Sequence, residues 1–322
     1  MPTSRLDNLL DAGIVPGFSK VGFAARRLQP VTARMAGRTV VITGATGGIG
    51  RAAAIALADL GAEVVLVGRS PEKLETAAAA IAESGGTAHT EVADLSVMGD
   101  VAALADRIAD RFTHVDVLVN NVGVLHPERR LTPEGLEATF ATNLLGQFIL
   151  TNRLVPSLEA APHGARIVTV SSGGMYTARL SADDLQASRS YKGPVAYART
   201  KRAQVALSEM WAERLAPLDI VSHSMHPGWA DTPGVSHSLP GFARITGPIL
   251  RTPEQGADTI VWLAADPRAA LSTGGFWHDR EMRPTHRLRS TAEPAGERDR
   301  LWAALESIAR DLDVPAPRHT HR

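Results

Sequence analysis

A glycine-rich turn, an arginine, and a tyrosine–lysine pair carry the spacings in this 322-residue chain that could support chemistry. The turn reads Thr43-Gly44-Ala45-Thr46-Gly47-Gly48-Ile49-Gly50 and follows the apolar run 40–42. Glycines allow a tight reversal and close backbone approach to a ligand, and a helix starting there offers unpaired N–H groups and partial positive charge to a pyrophosphate. The spacing is Gly-x3-Gly-x-Gly, not the common Gly-x-Gly-x-x-Gly, so a tight strand–helix turn without ligand is the alternative reading. Gly44, Thr46, Gly48, Ile49 and Gly50 are the residues expected to meet a dinucleotide. The next apolar run ends in Val67-Gly68-Arg69-Ser70. NAD-binding folds usually place an acid there for the ribose 2′-hydroxyl. A guanidinium instead suits a 2′-phosphate, which it can hold through two parallel hydrogen bonds. NADP(H) is therefore favoured over NAD(H), with Arg51 either assisting or standing as a solvated helix residue. Further on, Tyr197 and Lys201 are four residues apart and share one helix face. A free phenol titrates near ~10, and lowering it by ~3 units takes ~4 kcal/mol. One cation ~4 Å away at an effective dielectric of ~20 supplies about that much. Lys201 can be that cation, tuning Tyr197 towards the range where general acid–base catalysis works best.

These residues need strands and helices to hold them, and the pattern provides both. Apolar runs at 39–42 and 63–67 read as strands, as do 115–120, 166–171 and 219–224, with 87–92 a weaker one and a last short one opening at 275–277. Helical patterns at 48–60, 71–84, 101–111, 132–158, 194–215 and 252–265 separate them. Runs such as 64–67 are almost wholly apolar, as expected for strands covered on both faces. Strands alternating with helices imply parallel pairing through right-handed crossovers. The expected architecture is α/β: a single doubly wound Rossmann fold, an approximately seven-stranded parallel sheet with helices on both faces.

With these elements in view, the chain resembles the short-chain dehydrogenase/reductase family over residues 37–286. Thr43-Gly44-x-x-x-Gly48-Ile49-Gly50 is similar to the family's cofactor turn. Asp94 and Leu95 match its adenine-contact position. Asn120-Asn121-Val122-Gly123 resembles its Asn-Asn-Ala-Gly motif, with Val122 bulkier than the usual alanine. Asn143 matches the helix asparagine of the catalytic tetrad, Ser172 the catalytic serine after the fifth strand, and Tyr197 with Lys201 the Tyr-x-x-x-Lys pair. Pro227-Gly228 matches the motif after the sixth strand, with Thr232 where the family contacts the nicotinamide carboxamide. Each motif is weak alone; their order, each on the expected element, carries the resemblance. A narrower likeness, to the SDR family member 12-like group, rests on Ser171-Ser172-Gly173-Gly174-Met175, Asp184-Leu185-Gln186 and residues 226–235, 255–259 and 279–280.

The resemblance implies an oxidoreductase that moves a hydride between nicotinamide and a carbonyl or alcohol carbon of a hydrophobic small molecule. Asn121, Val122 and Gly123 would line the cofactor. Ser172 would steady the substrate oxygen, Tyr197 would exchange the proton, Lys201 would also hold the nicotinamide ribose, and Asn143 would position water for a proton relay. The insertion 173–196 and the apolar stretch 229–250 are candidate walls of the substrate pocket, or else surface loop and structural lobe. Two other functions fit the same fold: an NADP(H)-binding sensor or scaffold without turnover, and a C=C reductase or epimerase.

Lys+Arg and Asp+Glu both number 34, so no global field favours nucleic acid. There is no cysteine, which excludes disulfides and thiolate chemistry. The histidines lack metal-binding spacing, so no metal is expected, and His319 and His321 belong to a tail. No apolar run approaches the ~18 residues of a membrane span and no secretory signal is visible, which makes a cytoplasmic location the expectation. Two extensions flank the catalytic body 37–286. The N-terminal one, 1–36, is basic, with Leu6, Leu9, Leu10 and Ile14 near helical spacing. Membrane contact through it is conceivable, but Gly13, Pro16 and Gly17 break the pattern, and an arm or helix packed on the body is preferred. The C-terminal one, 287–322, should hold a helix around 297–311. The resemblance implies a homo-oligomer, which the extensions could block.

Overall fold

The computed structural model describes residues 17–230 and 247–312. Its centre is built from short runs of β-branched and aliphatic residues that no exposed surface would tolerate. β1 (Thr39–Thr43) is buried along its whole length, as is nearly all of β2 (Glu63–Gly68). With β3 (Thr87–Val92), β4 (Val117–Asn120), β5 (Ala165–Val170), β6 (Ile220–Met225), β7 (Phe276–His278) and β8 (Glu281–Met282) they form an eight-stranded sheet of order β3-β2-β1-β4-β5-β6-β7-β8. Every neighbouring pair is parallel except β7 and β8. The expected count of about seven is therefore exceeded by one two-residue edge strand, which turns back on β7 and has no alternation long enough to read in sequence.

Helices cover both faces. α1 (Lys20–Arg26) precedes β1, and α2 (Gly48–Asp59), α3 (Pro71–Glu83) and α4 (Met98–Arg111) follow the first three strands. α5 (Gly146–Glu159) precedes β5, α6 (Gly193–Leu215) precedes β6, α7 (Pro253–Ala265) precedes β7, and α8 (Glu297–Asp311) ends the described chain. One apolar layer packs α2, α3 and α7 against the sheet through Leu57, Leu74, Ile81, Ile260 and Leu263. The other packs α4, α5, α6 and α8 through Leu104, Ile108, Leu150, Leu154, Trp211 and Leu301. α8 is the helix expected near 297–311; Leu301 and Leu305 are buried, and Trp302 sits against Phe148, its ring centroid 4.9 Å away.

One helix is shorter than its pattern suggests. Residues 132–158 read as continuous helix, yet helical backbone begins only at Ala138–Phe140, widens to a π-turn at Ala141–Leu145 and continues as α5. Gly135 has φ +77°, outside the helical region, and Glu137 caps the new start by accepting from the Thr139 and Phe140 amides at 2.8 and 2.7 Å. The described part of the N-terminal extension is packed on the body: Phe18 is buried, and the Phe18 carbonyl accepts from the Trp229 amide at 2.8 Å. Residues 1–16 with Leu6, Leu9, Leu10 and Ile14, the histidine-bearing tail, and Thr232 within 231–246 lie outside the described residues. Among the described residues, no helix is long and apolar enough to cross a membrane and no cluster of side chains could hold a metal.

Candidate active site

The ends of β1, β4, β5 and β6 open onto one cleft of about 1020 Å³, and the sequence motifs converge there. Gly44, Thr46, Gly48 and Ile49 line one end; Asn121, Val122 and Gly123 the middle; Ser172, Tyr197, Lys201, Pro227 and Gly228 the other. Arg69, Asp94 and Leu95 complete the first end.

The glycine turn is tied to the middle of the cleft by one threonine. The Thr43 hydroxyl donates to the Val119 carbonyl at 3.2 Å and accepts from the Asn121 and Val122 amides at 2.9 and 3.1 Å. The Asn121 amide group donates back to the Thr43 carbonyl at 2.8 Å. Gly50 stands behind this turn rather than in the cleft. A Cβ there would lie 2.3 Å from the Gly44 carbonyl oxygen, so only glycine lets the turn close. At Gly47 a Cβ would meet nothing, and α2 starts immediately afterwards with no side-chain cap and no acid in its first turn. The first-turn N–H groups are thus left for a ligand, and the dipole favours an anion. This end of the cleft fits a dinucleotide pyrophosphate.

Arg69 is largely exposed at the rim, 3.7 Å from Asp94. Lys73, in the first turn of α3, lines the same rim. The sequence reading passed over Lys73, although its position four residues after Arg69 could have flagged it. Arg51 is not among the lining residues.

At the other end, Lys201 is buried and its ammonium donates to the Val170 carbonyl at 2.9 Å. It sits 5.5 Å from the centroid of the Tyr197 ring. Gly123 leaves room for it, since a Cβ there would be 2.9 Å from Nζ. Burial drives the Lys201 ammonium down to about 7. Burial likewise pushes the Tyr197 phenol above its usual value, with the Ser172 hydroxyl hydrogen-bonded to it pulling the other way. Helical spacing alone predicts that the lysine lowers the phenol. In the protein alone desolvation dominates both groups, because each loses water and, among the described residues, no carboxylate stands beside Lys201 to hold its charge. The Ser172 hydroxyl also accepts from the Gly174 amide at 3.2 Å, which orients it at the start of the 3₁₀ turn Gly173–Thr177.

Asn143 does not line the cleft. Its side chain is fully buried: Oδ1 accepts from the Val124 amide at 2.7 Å, and Nδ2 donates to the Val124 carbonyl at 2.9 Å and the Thr200 hydroxyl at 3.1 Å. Its carbonyl, within the π-turn, accepts from Gln204 Nε2 at 2.7 Å. Asn143 therefore pins the loop after β4 to α6, behind the wall that Tyr197 and Lys201 occupy.

Val124, Leu125, Ala198 and Trp229 give the cleft an apolar lining near Ser172 and Tyr197, with His126 beside them. Burial, then Arg130, holds the His126 imidazole below its ordinary value. Of the insertion 173–196, only Gly174, Thr177 and Pro194 reach the cleft. The rest packs elsewhere, for example through the Tyr191 hydroxyl donating to the His126 carbonyl at 2.9 Å. Of the stretch 229–250, residues 231–246 lie outside the described residues; of the rest, Trp229 and Ala230 line the cleft.

Comparison with known proteins points the same way. The short chain dehydrogenase family profile matches residues 38–240. Dehydrogenase/reductase SDR family member 12 from Bos taurus is 43% identical over 279 residues, covering 85% of this chain and 87% of that protein. Human retinol dehydrogenase 11 is 34% identical over 255 residues, covering 77% of this chain and 79% of its own length. A candidate short chain dehydrogenase from Escherichia coli, solved with NADPH, superposes with a TM-score of 0.65 at 27% identity, over 78% of this chain and all of the other.

Proposed function

Given that the chain belongs to the short-chain dehydrogenase family, and is an NAD(P)-dependent oxidoreductase, we propose that it interconverts a carbonyl and an alcohol on a hydrophobic small molecule, prefers NADP(H), and uses Tyr197 as its acid and base. The observation that carries this reading is one continuous cleft with an uncapped helix start at one end and Ser172, Tyr197 and Lys201 grouped at the other. The bound dinucleotide would supply or accept the hydride. Everything else falls to the chain's own residues.

The pyrophosphate would rest on the amides of the glycine turn, and Arg69 with Lys73 would take the 2′-phosphate. The middle of the cleft would be lined by Asn121, Val122 and Gly123, with Asp94 and Leu95 at the adenine. Pro227 and Gly228 would back the nicotinamide. In the reducing direction the Ser172 hydroxyl would orient the substrate oxygen, and the Tyr197 phenol would deliver a proton to that oxygen as the carbon receives the hydride. Lys201, held near neutrality by burial, can both carry charge and pass on a proton. Asn143 acts as a positioning residue that fixes the loop after β4 against α6. The apolar lining from Val124, Leu125 and Trp229 supports a hydrophobic substrate.

A panel of ketones, aldehydes, quinones and enones offered with NADPH and then NADH tests this. The expected result is faster loss of NADPH with at least one carbonyl class and recovery of the alcohol. Recovery of a saturated C=C product, or tight NADPH binding with no turnover across the panel, would contradict it.

A further inference from the structure

We propose that Phe18 is a positioning residue of the active cleft, a wedge that sets the separation between the Ser172 turn and the wall formed by residues 227–230. The proposal rests on the reading of that cleft given above. Phe18 belongs to the N-terminal extension, upstream of the residues the family profile matches. It is 4% exposed and does not itself line the cleft. On one side its ring abuts the residue after Ser172: a Cβ on Gly173 would lie 2.7 Å from Phe18 Cε2. On the other side it packs edge-on against His226, at 4.5 Å between centroids, and against Trp229, at 6.0 Å. Its carbonyl accepts from the Trp229 amide at 2.8 Å. One ring thus touches both walls between which the substrate and nicotinamide would sit.

The wedge is anchored from below. The buried Arg251 guanidinium donates to the carbonyls of Gly17 at 2.9 Å and Ser19 at 3.3 Å, on either side of Phe18. It also forms a two-pronged pair with Asp279 at 2.6 and 2.8 Å and reaches the Pro227 carbonyl at 3.4 Å. Arg26 closes the group through Asp279 at 2.7 Å. Gly228, at φ +75°, leaves the space the guanidinium fills, since a Cβ would lie 2.6 Å from Arg251 Nε. Such anchoring is far stronger than a surface arm needs. A buried charge pair with most of its donors satisfied favours one geometry over its neighbours.

The test uses the full chain carrying Phe18→Ala, Phe18→Leu, Gly173→Ala, or Phe18→Ala with Gly173→Ala. The measurements are the Kd for NADPH, the circular dichroism of the bound nicotinamide, and turnover of phenanthrenequinone per bound NADPH. Misplacing a reacting group by ~1 Å can cost ~100-fold, so Phe18→Ala should lower kcat about tenfold or more. The Kd should move less than about threefold, because the dinucleotide is held mainly at the far end. Phe18→Leu should fall between, and should be read in place of Phe18→Ala if that variant does not fold. The Gly173 methyl should occupy part of the vacated space, so the double variant should recover some activity. The circular dichroism of the bound nicotinamide should change in Phe18→Ala, since the wall that carries Trp229 moves; this reads the displacement without turnover. A lower Tm with kcat per bound NADPH within about twofold of wild type and an unchanged nicotinamide signal would reduce Phe18 to packing and overturn the proposal, as would independent effects of the two alanines. Wild-type protein that binds neither NADPH nor NADH would instead sink the reading of the cleft itself.

Discussion

Lys201 is buried with no carboxylate beside it among the described residues, which disfavours its charged form. Its pKa in the folded chain is about 7 against an ordinary 10.5. The unfolded chain therefore binds the proton more tightly, and between those two values unfolding takes up protons. Stability of the protein without dinucleotide should rise with pH across that window, and should be poorest below pH 7. Lys201→Met should flatten this rise and raise Tm near pH 7 while abolishing turnover, as thermal melts from pH 6 to 9 would show. If the variant melts earlier than wild type at every pH, the desolvation account of Lys201 is wrong. Arg69 makes a different kind of prediction. A charge-assisted hydrogen bond contributes about 1.5–3 kcal/mol, or roughly ten- to a hundredfold in affinity. Arg69→Ala should weaken NADPH by about that factor and leave NADH nearly unchanged, measured by titrating each dinucleotide. Equal losses for both would remove the 2′-phosphate from the account.

The strand ends and the turns that leave them position the site, and they differ in how far sequence exposes them. Parallel strands covered on both faces read as apolar runs, which is why β1 and β2 stand within a residue of their expected bounds. The glycine turn is equally visible, because its glycines answer to local geometry. Gly50→Ala would put a Cβ 2.3 Å from the Gly44 carbonyl, so dinucleotide binding should be lost, with stability lowered by about 1–3 kcal/mol. By contrast, Thr252 caps α7 through the Gln255 amide and receives that side chain in return. Thr252→Ala should cost about 1 kcal/mol in urea unfolding and leave Kd for NADPH unchanged. The false helical start at 132 has a local cause as well. Leu, Glu and Ala in that stretch carry helical periodicity, and only the left-handed Gly135 and the capping Glu137 overrule it.

At the scale of the whole molecule, contacts between distant segments decide what sequence alone could not show. Phe18, Arg251 and Asp279 meet across more than two hundred residues, with Arg251 bonded to Gly17 at |i−j| = 234. No periodicity or motif can report such a meeting. The same holds for Asn143. The motif resemblance found it, but only the packed π-turn reveals that Val124, Thr200 and Gln204 occupy its polar groups. The buried cluster is also where the body should be most vulnerable. Removing one partner of a buried ion pair costs about 3–5 kcal/mol, so Asp279→Asn should lower the unfolding free energy by roughly that amount. All of this scaffolding converges on one phenol beside a dinucleotide site. The measurement that tests it most directly is kcat/KM as a function of pH for wild type and Tyr197→Phe, with the Kd for NADPH measured in parallel. Tyr197→Phe should bind NADPH within a few-fold of wild type and turn over at least about a thousandfold more slowly, consistent with loss of a general acid. Turnover near the wild-type rate, with the same pH profile, would contradict the account.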